Sequence, residues 1–116
     1  MVSIEDFTIG GGYLVEPVSV DLYEGEYTVD VLLRVLENAG LSYQYTGDLG
    51  PKFYLASLSG EKVDALPRDT SLVPELLLSA LDQNGFELGT RDGNTLGEFD
   101  YTRGSGWMYC VNNYFP

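Results

Sequence analysis

VSVDLYEGEYTVDVLLRVLENAG, residues 18–40, decides the fold because it joins a strand pattern directly to a helix pattern. Apolar and polar residues alternate over 18–23, which predicts a half-buried strand. After a short loop, apolar residues recur at helical spacing, with Thr28 as a candidate N-cap and Gly40 as the residue that ends the helix. We therefore predict a main helix at about 28–39.

Strand and helix patterns continue on both sides of this stretch. Loose alternation at 2–9 and the glycines at 10–12 predict a hairpin with a strand at 13–23. A second helix is predicted at about 72–84, where Pro74 suits the first turn. Its apolar stripe consists of Leu76, Leu77, Ala80 and Leu81. The remaining predicted strands are 41–45, 53–58, 98–102 and 107–111, with loops at 60–68 and 90–97.

This order of elements predicts an α+β domain. We expect a β-grasp-like mixed sheet packed on the main helix at about 28–39, with the second helix at about 72–84 inserted on the rim. A chain of 116 residues is long enough for one core and too short for two, so residues 1–116 are predicted to form a single domain.

The charge balance is strongly acidic. There are 18 acidic and 6 basic residues, so the net charge is −12, and the basic residues are scattered. Nucleic acids and anionic membrane surfaces require clusters of basic residues, so neither is an expected partner. No apolar run is long enough to insert into a membrane. The acidity favours solubility outside the cell, with recruitment of cations or of a basic partner as the alternative.

Catalytic groups are scarce. The chain contains no histidine, which removes the usual general base, zinc ligand and triad partner. Its lone cysteine, Cys110, lies in an apolar run and is predicted to be a buried, inert thiol beside Val111 in the core. Glu98 and Asp100 alternate on one predicted strand, but surface solvation explains such pairs better than acid–base catalysis. We predict no catalytic residues and no enzymatic activity.

A metal site has only one weak candidate. Asp92, Gly93 and Asn94, with Glu98 or Asp100 nearby, offer oxygen ligands for calcium, but their spacing does not match an EF-hand loop. A polar turn is the preferred interpretation, so we predict no metal site and no required cofactor.

Aromatic residues are abundant: 9 Tyr, 5 Phe and 1 Trp. Packing within a sheet is the preferred interpretation of this set, and a flat surface that receives a planar or sugar-like ligand is the alternative. Trp107 follows flexible glycines and is predicted to stand at an exposed strand entrance. The tyrosines in or beside predicted strands are Tyr43, Tyr45, Tyr54, Tyr101, Tyr109 and Tyr114.

GSGWMYCVNN at 104–113, after LGEFDYT at 96–102, resembles the signature of the transcobalamin-like C-terminal domain family. The stretch at 18–40 is similar to the strand–glycine–helix opening of that family, and YLASLSG at 54–60 also supports the resemblance. The resemblance implies a β-grasp-like fold and an exported bacterial protein. Carried over to this sequence, the motif implies four ligand-binding residues: Gly106, Trp107, Tyr109 and Asn112. Asn113 departs from the usual glycine.

The resemblance implies a non-catalytic ligand-binding or accessory module of a bacterial surface or secreted protein. Cobalamin, or a related corrinoid, is the candidate ligand, bound together with a partner domain. The alternative is a structural or adhesive surface module that binds protein or glycan. The family continues through a further strand, whereas this sequence stops at Pro116. An excised domain with an open sheet edge is therefore expected, and that edge predicts strand pairing or dimerisation.

Overall fold

The computed structural model describes residues 1–91 and 94–111. This part of the chain contains two antiparallel sheets and three α-helices, joined by loops. The predicted α+β class is confirmed. The single mixed sheet is replaced by a two-stranded sheet, β1-β2, and a three-stranded sheet of order β3-β4-β5. The elements are β1 (Val2–Glu5), β2 (Tyr13–Val18), α1 (Thr28–Asn38), β3 (Ser42–Thr46), β4 (Tyr54–Ser59), α2 (Glu61–Asp64), α3 (Glu75–Gln83) and β5 (Thr95–Gly97).

The predicted hairpin at the start of the chain is confirmed, with β1 and β2 paired antiparallel. The first strand is shorter than predicted because Asp6 turns the backbone. Its N–H donates to the carbonyl of Gly12 (2.8 Å), and its carbonyl accepts from the N–H of Ile9 (3.1 Å). Residues Phe7–Ile9 therefore form a 3₁₀ turn instead of continuing the strand.

The strand predicted up to residue 23 ends at Val18. Beyond it the chain is anchored to α1 by Arg34. The guanidinium forms an ion pair with Glu26, donates to the carbonyl of Asp21 (2.6 Å) and lies 5.1 Å from the ring centroid of Tyr23. A single side chain can contact Asp21, Tyr23 and Glu26 together only if this loop is not extended. The strand predicted at 18–23 is therefore wrong beyond Val18.

The main helix is confirmed as α1. Its N-cap is Tyr27 rather than Thr28, and the carboxylate of Asp30 accepts the N–H of Tyr27 (2.9 Å). At the other end, Gly40 is left-handed (φ 72°), and its N–H bonds to the carbonyl of Glu37 (3.1 Å). The N–H of Leu41 reaches back to Leu36, which completes a Schellman motif and explains why the helix ends there.

One apolar core joins α1 to both sheets. Leu36 of α1 and Leu58 of β4 are fully buried and belong to one apolar cluster, so the helix and the three-stranded sheet share a core. Ile4 of β1 and Leu14 of β2 belong to the same cluster. The buried members are Ile4, Leu14, Val35, Leu36, Leu41, Leu58, Val63, Leu96 and Tyr101.

The short helix α2 lies where a loop was predicted, at 60–68. Arg91 holds this region in place although its side chain is buried, with 2% of its surface exposed. The guanidinium donates to the carbonyls of Val63 (3.1 Å), Leu66 (2.8 Å) and Thr95 (3.1 Å). Val63 lies in α2, Leu66 lies just after it and Thr95 starts β5, so Arg91 ties α2 to β5.

The second helix, α3, is confirmed in type and begins three residues later than predicted, after Pro74. None of its residues is buried, and Leu76 is 88% exposed. The predicted stripe is therefore wrong at Leu76 and Ala80, which are exposed, while Leu77 and Leu81 are half-buried. Within the described ranges, no helix has the length and apolar character needed to cross a bilayer.

Candidate functional site: a groove at the end of helix α3

The residues after β5 form a closed loop, not the strand predicted at 98–102. The carboxylate of Asp100 accepts the N–H of Gly97 (2.7 Å), and the N–H of Phe99 donates across the loop to the carbonyl of Ser105 (3.0 Å). The indole N–H of Trp107 then returns to the carbonyl of Leu96 (2.9 Å). Residues 98–106, called the Phe99 loop below, are thus closed at their base.

Phe99 and Tyr101 both have left-handed backbones, with φ 68° at each residue. Aromatic residues rarely adopt this conformation, which stores about 1–3 kcal/mol per residue. The surroundings of Tyr101 explain how it is held: its ring is buried, and its hydroxyl donates to the carbonyl of Pro67 (2.6 Å). Its own carbonyl accepts the N–H of Gly89 (2.7 Å). Phe99, in contrast, is 65% exposed.

The end of α3 is fixed by a second Schellman motif. Gly85 is left-handed (φ 78°) and donates to the carbonyl of Asp82 (3.1 Å), while the N–H of Phe86 donates to that of Leu81 (2.9 Å). This turn places the ring of Phe86 against the Phe99 loop, where the guanidinium of Arg103 lies 5.4 Å from the ring centroid.

A solvent-open groove lies between the end of α3 and the Phe99 loop. It consists of two adjoining depressions of about 510 and 430 Å³ that share Gly85, Glu87 and Leu88. We call it the Phe99 groove. Leu88 and Phe99 are its exposed apolar side chains. The other lining residues are Asp82, Phe86, Gly89, Thr90, Tyr101, Thr102 and Arg103.

Acidic side chains outnumber basic ones in the described lining of the groove, by Asp82 and Glu87 to Arg103. Asp82 and Glu87 are exposed and line it. Among the described residues, the ion pair found within 4 Å joins Arg34 to Glu26. Neither groove carboxylate therefore has a described basic side chain within 4 Å. The C-terminal end of α3 also points here, and the carbonyl end of a helix dipole favours positive charge.

The structure describes three of the four predicted ligand-binding residues, and it places none of them in the lining of the groove. A Cβ on Gly106 would lie 3.2 Å from the hydroxyl of Tyr54. Trp107 packs against the core and is half-buried, so the predicted exposed entrance is wrong. Tyr109 is 64% exposed, and Asn112 lies outside the described residues. Their role in binding a ligand stays a prediction.

Two further predictions for this segment are wrong. Residues 107–110 form no regular strand, so they contribute no row of side chains to the core. Cys110 is exposed instead of buried, and Val111 is 53% exposed.

The candidate calcium ligands are only partly described, because Asp92 and Gly93 lie outside the described residues. The side-chain oxygen of Asn94 accepts from Arg68 (3.0 Å), and Asp100 caps Gly97 as described above. In the described ranges, no three acidic or cysteine side chains lie close enough to hold a metal ion.

The tyrosines divide between packing and exposure. Tyr45 stacks on Phe53 (centroids 5.5 Å apart) and lies 6.2 Å from Tyr43, so these rings pack on one another along β3. Tyr101 is buried, as the packing interpretation predicts, whereas Tyr54 is 40% exposed. Tyr114 lies outside the described residues.

The exposed ring of Phe99 was not among the predicted site residues. Its alternation with Asp100 and Tyr101 is typical of a strand, and a left-handed aromatic residue leaves no mark in a hydrophobic pattern. The glycines at 104 and 106 were the available signal, since they separate the two predicted strands by a turn.

Comparison with known proteins found no matching family model, no matching curated protein and no matching solved structure.

Proposed function

We propose that this chain is a non-catalytic binding module of a bacterial surface or secreted protein, and that it engages a protein partner through the Phe99 groove. The observation that carries this proposal is the exposure of Phe99 on a left-handed backbone. Strained conformations of this kind persist where the surrounding structure enforces them, and they cluster at functional sites. A closed loop on a rigid base is also the usual setting for binding residues.

The shape of the groove favours a protein segment as the partner. Both depressions are open to solvent, and their apolar side chains, Leu88 and Phe99, are already exposed in the free chain. A partner that covers them removes apolar surface from water without first opening a cavity. Aromatic side chains at the centre of such a contact supply much of its binding energy.

A random peptide library displayed on phage tests the proposal without assuming the chemistry of the partner. Selection on the wild-type domain, with counter-selection on Phe99→Ser, is expected to enrich peptides that bind only the wild type. The exposed Tyr13→Ser serves as the matched control, since it removes an exposed aromatic ring far along the sequence. Enrichment that survives Phe99→Ser, or no enrichment at all, contradicts the proposal. A glycan array tests the alternative partner class.

Corrinoid binding stays a prediction that rests on the sequence resemblance. Trp107 is the single tryptophan, so its fluorescence reports directly on the segment that carries the motif. Titration with cobalamin is expected to quench this emission if the isolated domain binds a corrinoid. Absence of quenching at high micromolar cobalamin, in the domain and in a longer parent protein, would contradict it.

Edge pairing also stays a prediction. In the three-stranded sheet β3 lies at one edge, and its sequence, SYQYT, carries no charge or proline to block pairing. Gel filtration with light scattering measures the outcome directly. A monomer at all concentrations and salt levels contradicts both dimerisation and self-pairing through this edge.

A further inference from the structure

We propose that the partner segment in the Phe99 groove is cationic, and that it places a basic side chain beside an apolar one. This inference rests on the proposed function and names the chemistry that the groove selects. Two features of the groove carry it: acidic side chains at and just beyond the C-terminus of α3, and the exposed apolar side chains Leu88 and Phe99 beside them.

The acidic part of the groove has three sources of negative charge. Asp82 lies in the last turn of α3, Glu87 follows the Schellman turn, and the helix dipole adds partial negative charge at the same place. Both carboxylates are exposed, and neither lies within 4 Å of a described basic side chain. A lysine or arginine of a partner therefore meets acceptors that need not give up an existing ion pair.

The only basic side chain in the described lining is Arg103, and it lies over the ring of Phe86. A cation held against an aromatic face forms part of the groove wall. The described lining thus has two carboxylates, Asp82 and Glu87, against this one cation. Glu87 and Leu88 are neighbours in the sequence and line both depressions, so a segment with adjacent basic and apolar side chains can contact both.

The charge of the whole chain acts in the same direction. With 18 acidic and 6 basic residues, the domain attracts cationic partners over the range of a Debye length and repels a second copy of itself. Charge complementarity thus favours a basic segment over self-association at this groove.

Three fluorescein-labelled peptides of nine residues, in a glycine–serine background, test the proposal by fluorescence anisotropy. Their centres are lysine–phenylalanine–lysine, glutamate–phenylalanine–glutamate and lysine–serine–lysine. We expect the first to bind about tenfold or more tightly than either of the others, because only it offers positive charge to the groove carboxylates and an apolar side chain to Leu88 and Phe99. Its affinity is expected to fall as sodium chloride is raised.

Matched charge variants separate the groove from the charge of the whole chain. Asp82→Asn combined with Glu87→Gln is expected to weaken the lysine–phenylalanine–lysine peptide about fivefold. Glu16→Gln with Glu24→Gln changes the net charge equally at exposed positions elsewhere and is expected to leave the affinity unchanged. Equal weakening by both pairs, or equal binding of the lysine- and glutamate-flanked peptides, overturns the inference.

The phage selection distinguishes failure of this inference from failure of the proposed function. Enrichment of neutral or acidic peptides that depends on Phe99 overturns the cationic partner and leaves the binding module standing. Enrichment that does not depend on Phe99 overturns both.

Discussion

The indole N–H of Trp107 donates to the backbone carbonyl of Leu96, at 2.9 Å, and so joins the two ends of the Phe99 loop. Leu96 belongs to β5 and is buried in the core, whereas Trp107 is half-buried at its edge. The conformation of the loop is therefore tied to β5 by this side-chain hydrogen bond, in addition to the one between Asp100 and the N–H of Gly97.

Replacing Trp107 with Phe is expected to loosen this loop. The ring still packs, but the Leu96 carbonyl loses its donor, at a cost of about 1 kcal/mol in the free energy of unfolding. Hydrogen exchange should accelerate at the amides of Phe99 and Ser105, which bond within the loop. Tyr109→Phe, at an exposed position, is the control and should change neither quantity. Unchanged exchange in Trp107→Phe would show that the bond does not hold the loop.

Phe99→Gly separates stability from binding. Glycine adopts a left-handed backbone without strain, and the ring that it removes is mostly exposed. The free energy of unfolding is expected to stay within about 1 kcal/mol of the wild type, or to rise, while library-selected peptides lose binding. Tyr101→Gly removes a buried ring and its bond to Pro67, so chemical denaturation should show a loss of about 3 kcal/mol or more. A marked destabilisation by Phe99→Gly would contradict the strain assignment.

Arg91→Met tests the tie between α2 and β5. Methionine fills a similar volume but removes three hydrogen bonds, to the carbonyls of Val63, Leu66 and Thr95, so a loss of about 3 kcal/mol in the free energy of unfolding is expected. Lys62→Met, at an exposed position, removes the same charge and should cost less than about 0.5 kcal/mol. Urea denaturation of the two variants measures the difference, and equal losses would refute the structural role.

Asp6 should make stability depend on pH. Burial raises the pKa of its carboxyl above the ordinary value of 3.8, and the nearby charge of Glu5 raises it further, against the opposing bond from Gly12. The native state therefore holds this proton more tightly than the unfolded chain. The resulting stability is fully present below about pH 3.8 and is lost as the pH rises through the raised pKa.

Asp6→Asn removes that titration and keeps the acceptor for the N–H of Gly12. Relative to the wild type, the variant should gain stability as the pH rises from 3 to 7, measured by urea denaturation at each pH. Glu16→Gln, at an exposed strand position, should show no such trend. A difference between wild type and Asp6→Asn that does not change with pH would contradict the raised pKa.

An element is predictable when the interactions that form it lie within one short segment of sequence, and it is not when they come from distant residues. Helix α1 was predictable because its apolar spacing and the glycine at residue 40 act within one segment. The strand predicted at 18–23 was wrong because Arg34, more than ten residues away, draws the loop onto the helix. The predicted strand at 98–102 was wrong for a related reason, since the buried hydroxyl of Tyr101 bonds to Pro67, 34 residues earlier.

The candidate site shows the same division. The sequence resemblance points to the segment around Trp107. In the structure, Trp107 follows the Phe99 loop and closes it by its hydrogen bond to Leu96. Exposure of Phe99 depends on two left-handed residues, and nothing in a one-dimensional pattern distinguishes them from strand residues. Two carboxylates line the groove, Asp82 in the last turn of α3 and Glu87 after the turn that ends it. The Schellman motif at Gly85 brings them to the same place.

The closure of the Phe99 loop divides its residues into fixed and variable positions. Asp100 and Tyr101 hold the loop to β5 and to the core, whereas Glu98, Phe99 and Arg103 are exposed. The domain is in this sense a scaffold for a short recognition surface. Recognition of new targets could be selected by randomising the exposed loop positions while Asp100, Tyr101, the helix and both sheets stay constant.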